Sequence, residues 1–167
     1  MSMGEADRAY EKALSFLERR DRTEREVIGK LSGAGFSDET VTGTLDRLRE
    51  NGLVNDASYA ERYLNALIAK GRGRLRIAQD MRGKGLEQDL VRNTIEDGLT
   101  AEDELKMAED AARRCLKGLS EEKDIRKKTA KVSRRLASLG FTWDVIGSAI
   151  RNVGMEKAGI EEEDDVS

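Results

Sequence analysis

The sequence contains no proline and no histidine, and Cys115 is its single cysteine. The lack of proline favours helices joined by glycine turns over a loop-rich or sandwich fold. Without histidine, a Ser–His–Asp triad and a His/Cys zinc site lack their parts, so we expect no enzymatic activity, no metal and no cofactor. One thiol cannot form an internal disulfide, which favours a reducing, cytoplasmic location. We interpret Cys115 as core filler on an apolar helix face rather than as a nucleophile.

Aromatic residues and long apolar segments are also scarce. Aromatics make up 4% of the chain, so a core must be built mainly from Leu, Ile, Val and Ala. No apolar run approaches the ~20 residues of a membrane span, and the first five residues do not resemble a signal peptide. Charged residues, in contrast, reach 38%, against roughly 25% in an average domain. This charged, aliphatic and periodic composition predicts an all-α protein with no membrane partner.

A pattern of one glycine and four apolar positions occurs three times. The glycines are Gly35, Gly85 and Gly140, with spacings of 50 and 55 residues. Apolar residues stand four positions before each glycine and one, six and ten positions after it: Leu31, Phe36, Val41 and Leu45; Met81, Leu86, Val91 and Ile95; Leu136, Phe141, Ile146 and Ile150. Periods of this length are typical of stacked helical units.

The pattern predicts three tandem three-helix repeats at residues 5–54, 55–99 and 100–154, followed by an acidic, disordered tail at 155–167. One repeat of about 45 residues is marginal alone, so we expect neighbouring repeats to pack into an elongated, curved array. The local predictions concern helix faces and ends. Ala6, Tyr10, Ala13 and Leu17 should share the inner face of the first helix, and Val27, Ile28 and Leu31 should be buried on the second. Thr23, Ser37 and Asp56 should cap helices, and the last helix should end before Gly154.

Two segments carry a large excess of positive charge. Residues 70–84 contain six bases and one acid, a net +5, and residues 123–135 contain seven bases and one acid, a net +6. Both segments lie at the start of a middle helix and along it, so a binding surface for phosphates or for an acidic protein groove is predicted. A solvated helix face is the alternative for any single base. The predicted binding residues are Lys70, Arg72, Arg74, Arg76, Arg82, Lys84, Arg126, Lys127, Lys128, Lys131, Arg134 and Arg135.

Smaller features each allow a structural and a functional interpretation. Gly71 and Gly73 could let backbone approach a phosphate, but we favour a turn that ends a helix. Tyr59 and Tyr63, one turn apart, could stack on bases, but that spacing favours a core position. Trp143 begins the final helix, where it could be half-exposed and could anchor a partner.

Two runs of the sequence resemble the RecX family, and the resemblance extends from about residue 9 to residue 153. The runs are Leu45…Leu48…Asn51-Gly52-Leu53-Val54-Asn55-Asp56…Tyr59-Ala60…Tyr63 and Lys70-Gly71-Arg72-Gly73-Arg74…Arg76-Ile77…Met81…Lys84-Gly85-Leu86. The resemblance implies a non-enzymatic regulator of recombination and DNA repair that lodges in the groove of the RecA–DNA filament. Members of this family inhibit RecA ATP hydrolysis, strand exchange and repressor cleavage. The implied partners are the RecA filament and, weakly and without sequence specificity, single- and double-stranded DNA, and we expect the protein to be a monomer.

Two other functions are compatible with the helical pattern. A helix-turn-helix DNA-binding regulator would need positive third helices, yet these open with Asp38-Glu39, Glu87-Gln88-Asp89 and Trp143-Asp144, whose acids would meet phosphates. A helical adaptor without nucleic acid, in which the basic segments meet an acidic protein, is the other alternative.

Overall fold

The computed structural model describes the backbone of residues 2–164 and the side chains of residues 2–154. Within this part the chain forms nine α-helices and no strand: α1 (Glu5–Arg19), α2 (Glu24–Gly33), α3 (Asp38–Glu50), α4 (Asp56–Ala69), α5 (Arg74–Gly83), α6 (Gln88–Gly98), α7 (Ala101–Lys117), α8 (Ile125–Leu139) and α9 (Trp143–Asp164). The predicted all-α class and the tandem three-helix organisation are confirmed. The predicted boundaries between repeats fall in the connections that follow α3 and α6. None of the described helices is both long and apolar enough to span a bilayer.

The chain divides into two compact units. Unit 1 comprises Met1–Tyr63 and Asp80–Thr94, and unit 2 comprises Leu64–Gln79 and Ile95–Ser167. Helices α4, α5 and α6 therefore each contribute residues to both units.

The core of unit 1 is aliphatic, as the composition predicts. Ile28, predicted to be buried, is 38% exposed, because it lies about 100° around α2 from Val27. Ala6 is also exposed, and the buried positions of α1 are Ala9 and Ala13. The buried cluster consists of Ala9, Ala13, Val27, Leu31, Val41, Leu45, Leu48 and Val54.

Unit 2 has a larger core built from α7, α8 and α9. Its buried residues are Ala108, Ala111, Ala112, Val132, Leu136, Leu139, Phe141, Ile146, Ala149 and Val153. Cys115 is half-buried and packs against this core, in agreement with its interpretation as filler.

The repeated glycines end the middle helices in left-handed conformation. Gly35, Gly85 and Gly140 have φ values of 89°, 85° and 97°. After each glycine, the next amide donates to the carbonyl four residues before that glycine, which is the hydrogen bond of a Schellman motif. These bonds join Phe36 to Leu31 at 3.3 Å, Leu86 to Met81 at 3.4 Å and Phe141 to Leu136 at 3.2 Å. Two of the four apolar columns of the sequence pattern are therefore the two ends of one capping hydrogen bond.

Side chains start several helices, and one predicted cap is wrong. Thr23 accepts from the Glu26 amide at 3.3 Å and, with its hydroxyl fully buried, donates to the Lys84 carbonyl at 2.7 Å. Asp56 does not cap α4, because Asn55 holds that place and accepts from the Ser58 amide at 3.1 Å. The Asp56 carboxylate instead accepts from the amide of Glu24 at 2.9 Å, at the start of α2. Burial raises the pKa of Asp56 above its ordinary value.

The end predicted for the last helix is also wrong, since α9 continues through Gly154 to Asp164. One internal glycine costs a helix only about 1 kcal/mol, and no proline follows to stop it. The same helix includes residues 155–164, although a disordered acidic tail was predicted at 155–167; residues 165–167 and the side chains of the whole tail lie outside the described part of the chain.

Candidate anion-binding cleft

The two basic segments occupy the predicted places in the fold. Lys70 and Arg72 lie in the connection between α4 and α5, Arg74, Arg76 and Arg82 lie on α5, and Lys84 follows directly after that helix. All the predicted binding residues of the second segment lie on α8.

Unit 2 contains an open cleft of about 830 Å³ at which the two segments meet. Lys70 and Arg72 come from the first segment, Arg135 comes from the second, and Arg114 is supplied by α7. We call these four residues the cleft bases. The remaining lining is Ile68, Ala69, Gly71, Met107, Asp110, Ala111, Cys115 and Leu139.

The cleft carries a net positive charge, since its lining contains four bases and one acid. That acid, Asp110, accepts from the Arg113 guanidinium at 3.3 Å, so its charge is partly neutralised by a residue outside the lining. Within the described part of the chain, none of the cleft bases forms a salt bridge. Their charges are therefore available to an anionic ligand.

A left-handed glycine turn places the first two cleft bases. Gly71 has φ 74°, its amide donates to the Ile68 carbonyl at 2.9 Å, and the Arg72 amide donates to the Leu67 carbonyl at 3.1 Å. Because the turn uses these amides itself, the turn interpretation of Gly71 is confirmed. A Cβ added at Gly71 would lie 3.9 Å from Nη2 of Arg114, so the turn passes close to a third cleft base.

Gly73 brings the start of α5 against the end of α8. Its amide donates to the Leu139 carbonyl at 2.8 Å, and the Leu75 amide donates to the Gly140 carbonyl at 2.9 Å. A Cβ at Gly73 would lie 2.5 Å from the carbonyl carbon of Gly140, so only glycine permits this backbone contact. The contact sets the position of the Lys70–Arg72 turn relative to α8, which carries Arg135.

Arg74, a predicted binding residue, also forms several contacts inside the protein. Its Nε lies 3.2 Å from Oε2 of Glu104, its amide donates to Oε1 at 3.0 Å, and its Nη2 donates to the Leu99 carbonyl at 2.9 Å. Glu104 is only 3% exposed, and a buried carboxylate requires such a partner. Arg74 therefore stabilises the contact between α5 and α7.

The other predicted bases lie outside the cleft lining. Lys131 pairs with Glu122 at 3.5 Å, Lys84 lies 5.9 Å from the Tyr63 ring centroid, and Arg76 has a partner within the chain. Lys128 lines a separate apolar cavity of about 270 Å³. The remaining bases are exposed: Arg82, Arg126, Lys127 and Arg134.

Arg114 is the cleft residue that the sequence analysis missed, because it lies outside both basic segments. Its position relative to apolar residues of α7 could have revealed it. Arg114 follows Ala111 by three residues and precedes Cys115 by one, and both of these neighbours line the same cleft. A search for bases interleaved with apolar positions on one helix face would have found it.

The aromatic side chains lie elsewhere. Tyr59 and Tyr63 are half-buried with ring centroids 5.8 Å apart, and burial raises the pKa of Tyr59. Trp143 is 71% exposed, more than the half-exposure expected. The third helices also begin with exposed acids, Asp38, Asp89 and Asp144, which weighs against a helix-turn-helix mode of DNA reading.

Fold and cleft together define an all-helical tandem-repeat protein with a site suited to anions. Models of the RecX first and second three-helix domains match residues 9–48 and 55–95. The regulatory protein RecX of Thermobifida fusca is 30% identical over 153 residues, which cover 89% of this chain and 82% of that protein. The chain belongs to the RecX family.

Other relatives agree with this assignment. The regulatory protein RecX of Chromohalobacter salexigens is 28% identical, with 83% of this chain and 88% of that protein covered. For the relative from Clostridium perfringens, 30% identical, the match spans 84% of this chain but only 66% of the relative's length. A crystal structure of RecX from Lactobacillus salivarius has the same fold, with a TM-score of 0.83 at 22% identity, and 90% and 97% of the two chains covered.

Proposed function

We propose that this protein regulates the RecA recombinase by binding the RecA–DNA filament, and that it catalyses no reaction of its own. Membership of the RecX family carries the proposal, since the relatives are named regulatory protein RecX. On this proposal the protein slows RecA's ATP hydrolysis, strand exchange and co-protease activity, and thereby restrains recombination and DNA repair.

The charge of the cleft supports the proposal. A filament that contains DNA presents phosphates, and the four cleft bases have no salt bridge within the described chain. Attraction of this kind is weakened by salt, because binding to phosphates releases counterions. The inhibition should therefore decline as ionic strength rises.

The test is the DNA-dependent ATPase of RecA on single-stranded DNA, titrated with this protein. We expect turnover to fall at substoichiometric or equimolar protein. Unchanged turnover at saturating protein would reject the proposal.

A pair of double variants tests whether the cleft takes part. Replacement of Arg72 and Arg135 by Ala removes two cleft bases, and replacement of Arg126 and Lys127 by Ala removes the same charge from the exposed start of α8. The concentration of the first variant that halves RecA turnover should be at least roughly ten-fold higher than that of the parent protein, because each charge-assisted contact contributes about 1.5–3 kcal/mol. The second should stay close to the parent protein. Circular dichroism must show equal helical content in both, and equal potency of the two variants would exclude a role for the cleft.

A further inference from the structure

We propose that the cleft of unit 2 binds a short segment of single-stranded nucleic acid, with phosphates on the cleft bases and one unstacked base on its apolar floor. This proposal refines the function proposed above, since it names the part of the filament's DNA that the cleft would contact and predicts a preference for single strands.

The cleft bases suit more than one phosphate. They come from three parts of the fold, namely the turn after α4, helix α7 and helix α8, so they are not a single row along one helix. Three of the four are arginines, whose planar guanidinium groups match phosphate oxygens in a bidentate manner. A chain of phosphodiesters can satisfy several such groups at once.

The floor between these charges is apolar. Ile68, Met107, Ala111, Cys115 and Leu139 line it, and Ala111 and Leu139 belong to the buried core of unit 2. A duplex would leave this floor without a ligand group to contact, because its outer surface is the charged backbone and its bases face each other inside the helix. An unstacked base presents a flat, weakly polar face that can contact aliphatic and sulfur groups.

The size of the cleft agrees with this ligand. Its volume of about 830 Å³ lies within the range of roughly 300–1,000 Å³ for sites that enclose small ligands. A nucleotide or two fits this class of site, whereas the full width of a duplex does not. An acidic peptide could meet the same charges but would not supply a flat face between its carboxylates.

Cys115 permits a test on the unmodified protein. It is the single cysteine of the chain and lines the cleft, so the rate of its modification by a thiol reagent reports on the cleft. An oligo(dT) of about 15 nucleotides, at saturating concentration and without RecA, should slow this modification several-fold. A hairpin duplex of matched charge should leave the rate close to that of the free protein, and so should polyglutamate.

Two neighbouring arginines on α8 form a matched pair of variants. Arg135 lines the cleft and Arg134 does not, and both are exposed. In fluorescence anisotropy with the same oligo(dT), R135A should bind roughly ten-fold more weakly. The slope of log affinity against log salt should also fall by about 0.7, the value for one phosphate contact on a single strand. R134A should stay within about two-fold of the parent, far below the effect of one charge-assisted contact.

The outcomes separate this inference from the proposed function. Oligo(dT) that leaves Cys115 unprotected, equal protection by the hairpin, or equal losses in R134A and R135A would each overturn it. Protection by polyglutamate alone would assign the cleft to an acidic peptide instead. Because RecA is absent, these results do not depend on the ATPase assay, and a protected Cys115 with unchanged RecA turnover would reject only the proposed function.

Discussion

Replacement of the repeated glycines by alanine should have very different costs at Gly35 and at Gly140. Both residues follow a middle helix in left-handed conformation, with φ values of 89° and 97°. Alanine in that conformation costs about 1–2 kcal/mol. At Gly35 no atom lies within 4 Å of the added Cβ, so G35A should cost about 1 kcal/mol in free energy of unfolding and no more than 2.

At Gly140 the added Cβ would overlap with Arg76, including its backbone, since it would lie 2.5 Å from the Arg76 amide nitrogen. Backbone cannot rotate away as a side-chain end can, so the start of α5 must separate from the end of α8. The hydrogen bonds from Gly73 to Leu139 and from Leu75 to Gly140 would weaken or break. At about 1 kcal/mol each, added to the conformational cost, the total for G140A is roughly 3–4 kcal/mol.

Urea unfolding followed by circular dichroism at 222 nm measures the difference between the two variants. Gly73→Ala is a second test of the same contact. Gly73 does not have a positive φ, so any loss in the free energy of unfolding would come only from the contact with Gly140. Equal losses for G35A and G140A, or no loss for G73A, would refute the reasoning that this backbone contact requires glycine.

Three further predictions concern polar contacts and are measured by the same unfolding experiment. Arg74→Ala should cost about 3–5 kcal/mol, because it leaves the buried carboxylate of Glu104 without its partner, and Arg74→Lys should cost less than Arg74→Ala, because the ammonium keeps the charge but not the fork of donors. Thr23→Val should cost about 2 kcal/mol, because it removes both a cap and the part-buried hydrogen bond to the Lys84 carbonyl, whereas Thr23→Ser should cost clearly less. Glu24→Gln should cost about 1 kcal/mol at pH 7, since hydrogen bonds from Arg49 lower the pKa of Glu24 below its ordinary value of 4.5. A carboxylate with a lowered folded-state pKa stabilises above pH 4.5 and loses that contribution as pH falls through the folded-state pKa, so the variant and the parent should converge in acid. A difference that persists there would contradict this assignment.

Local patterns were sufficient for the helices and their ends. The residues four before and one after each repeated glycine are joined by a capping hydrogen bond, so the sequence spacing reflects a contact within six residues. The caps at Thr23 and Ser37 were predicted for the same reason, since a capping side chain bonds an amide three residues ahead. Asp56 was misjudged because its carboxylate bonds the amide of Glu24, 32 residues earlier in the chain, which no local rule contains.

The candidate site, too, could be predicted from the sequence only in part. The excess of positive charge was visible in the sequence, but which bases share a cleft was not, because Arg72, Arg114 and Arg135 are distant along the chain and meet only through packing in unit 2. Arg74 was itself predicted to bind a partner, and it pairs with a buried carboxylate from α7. Sequence by itself determined the all-helical repeat, since periodicity, capping and glycine turns act over a few residues. Only the tertiary structure decided which charges are neutralised inside the protein and which remain available to a ligand, because that depends on contacts between helices that are remote in sequence.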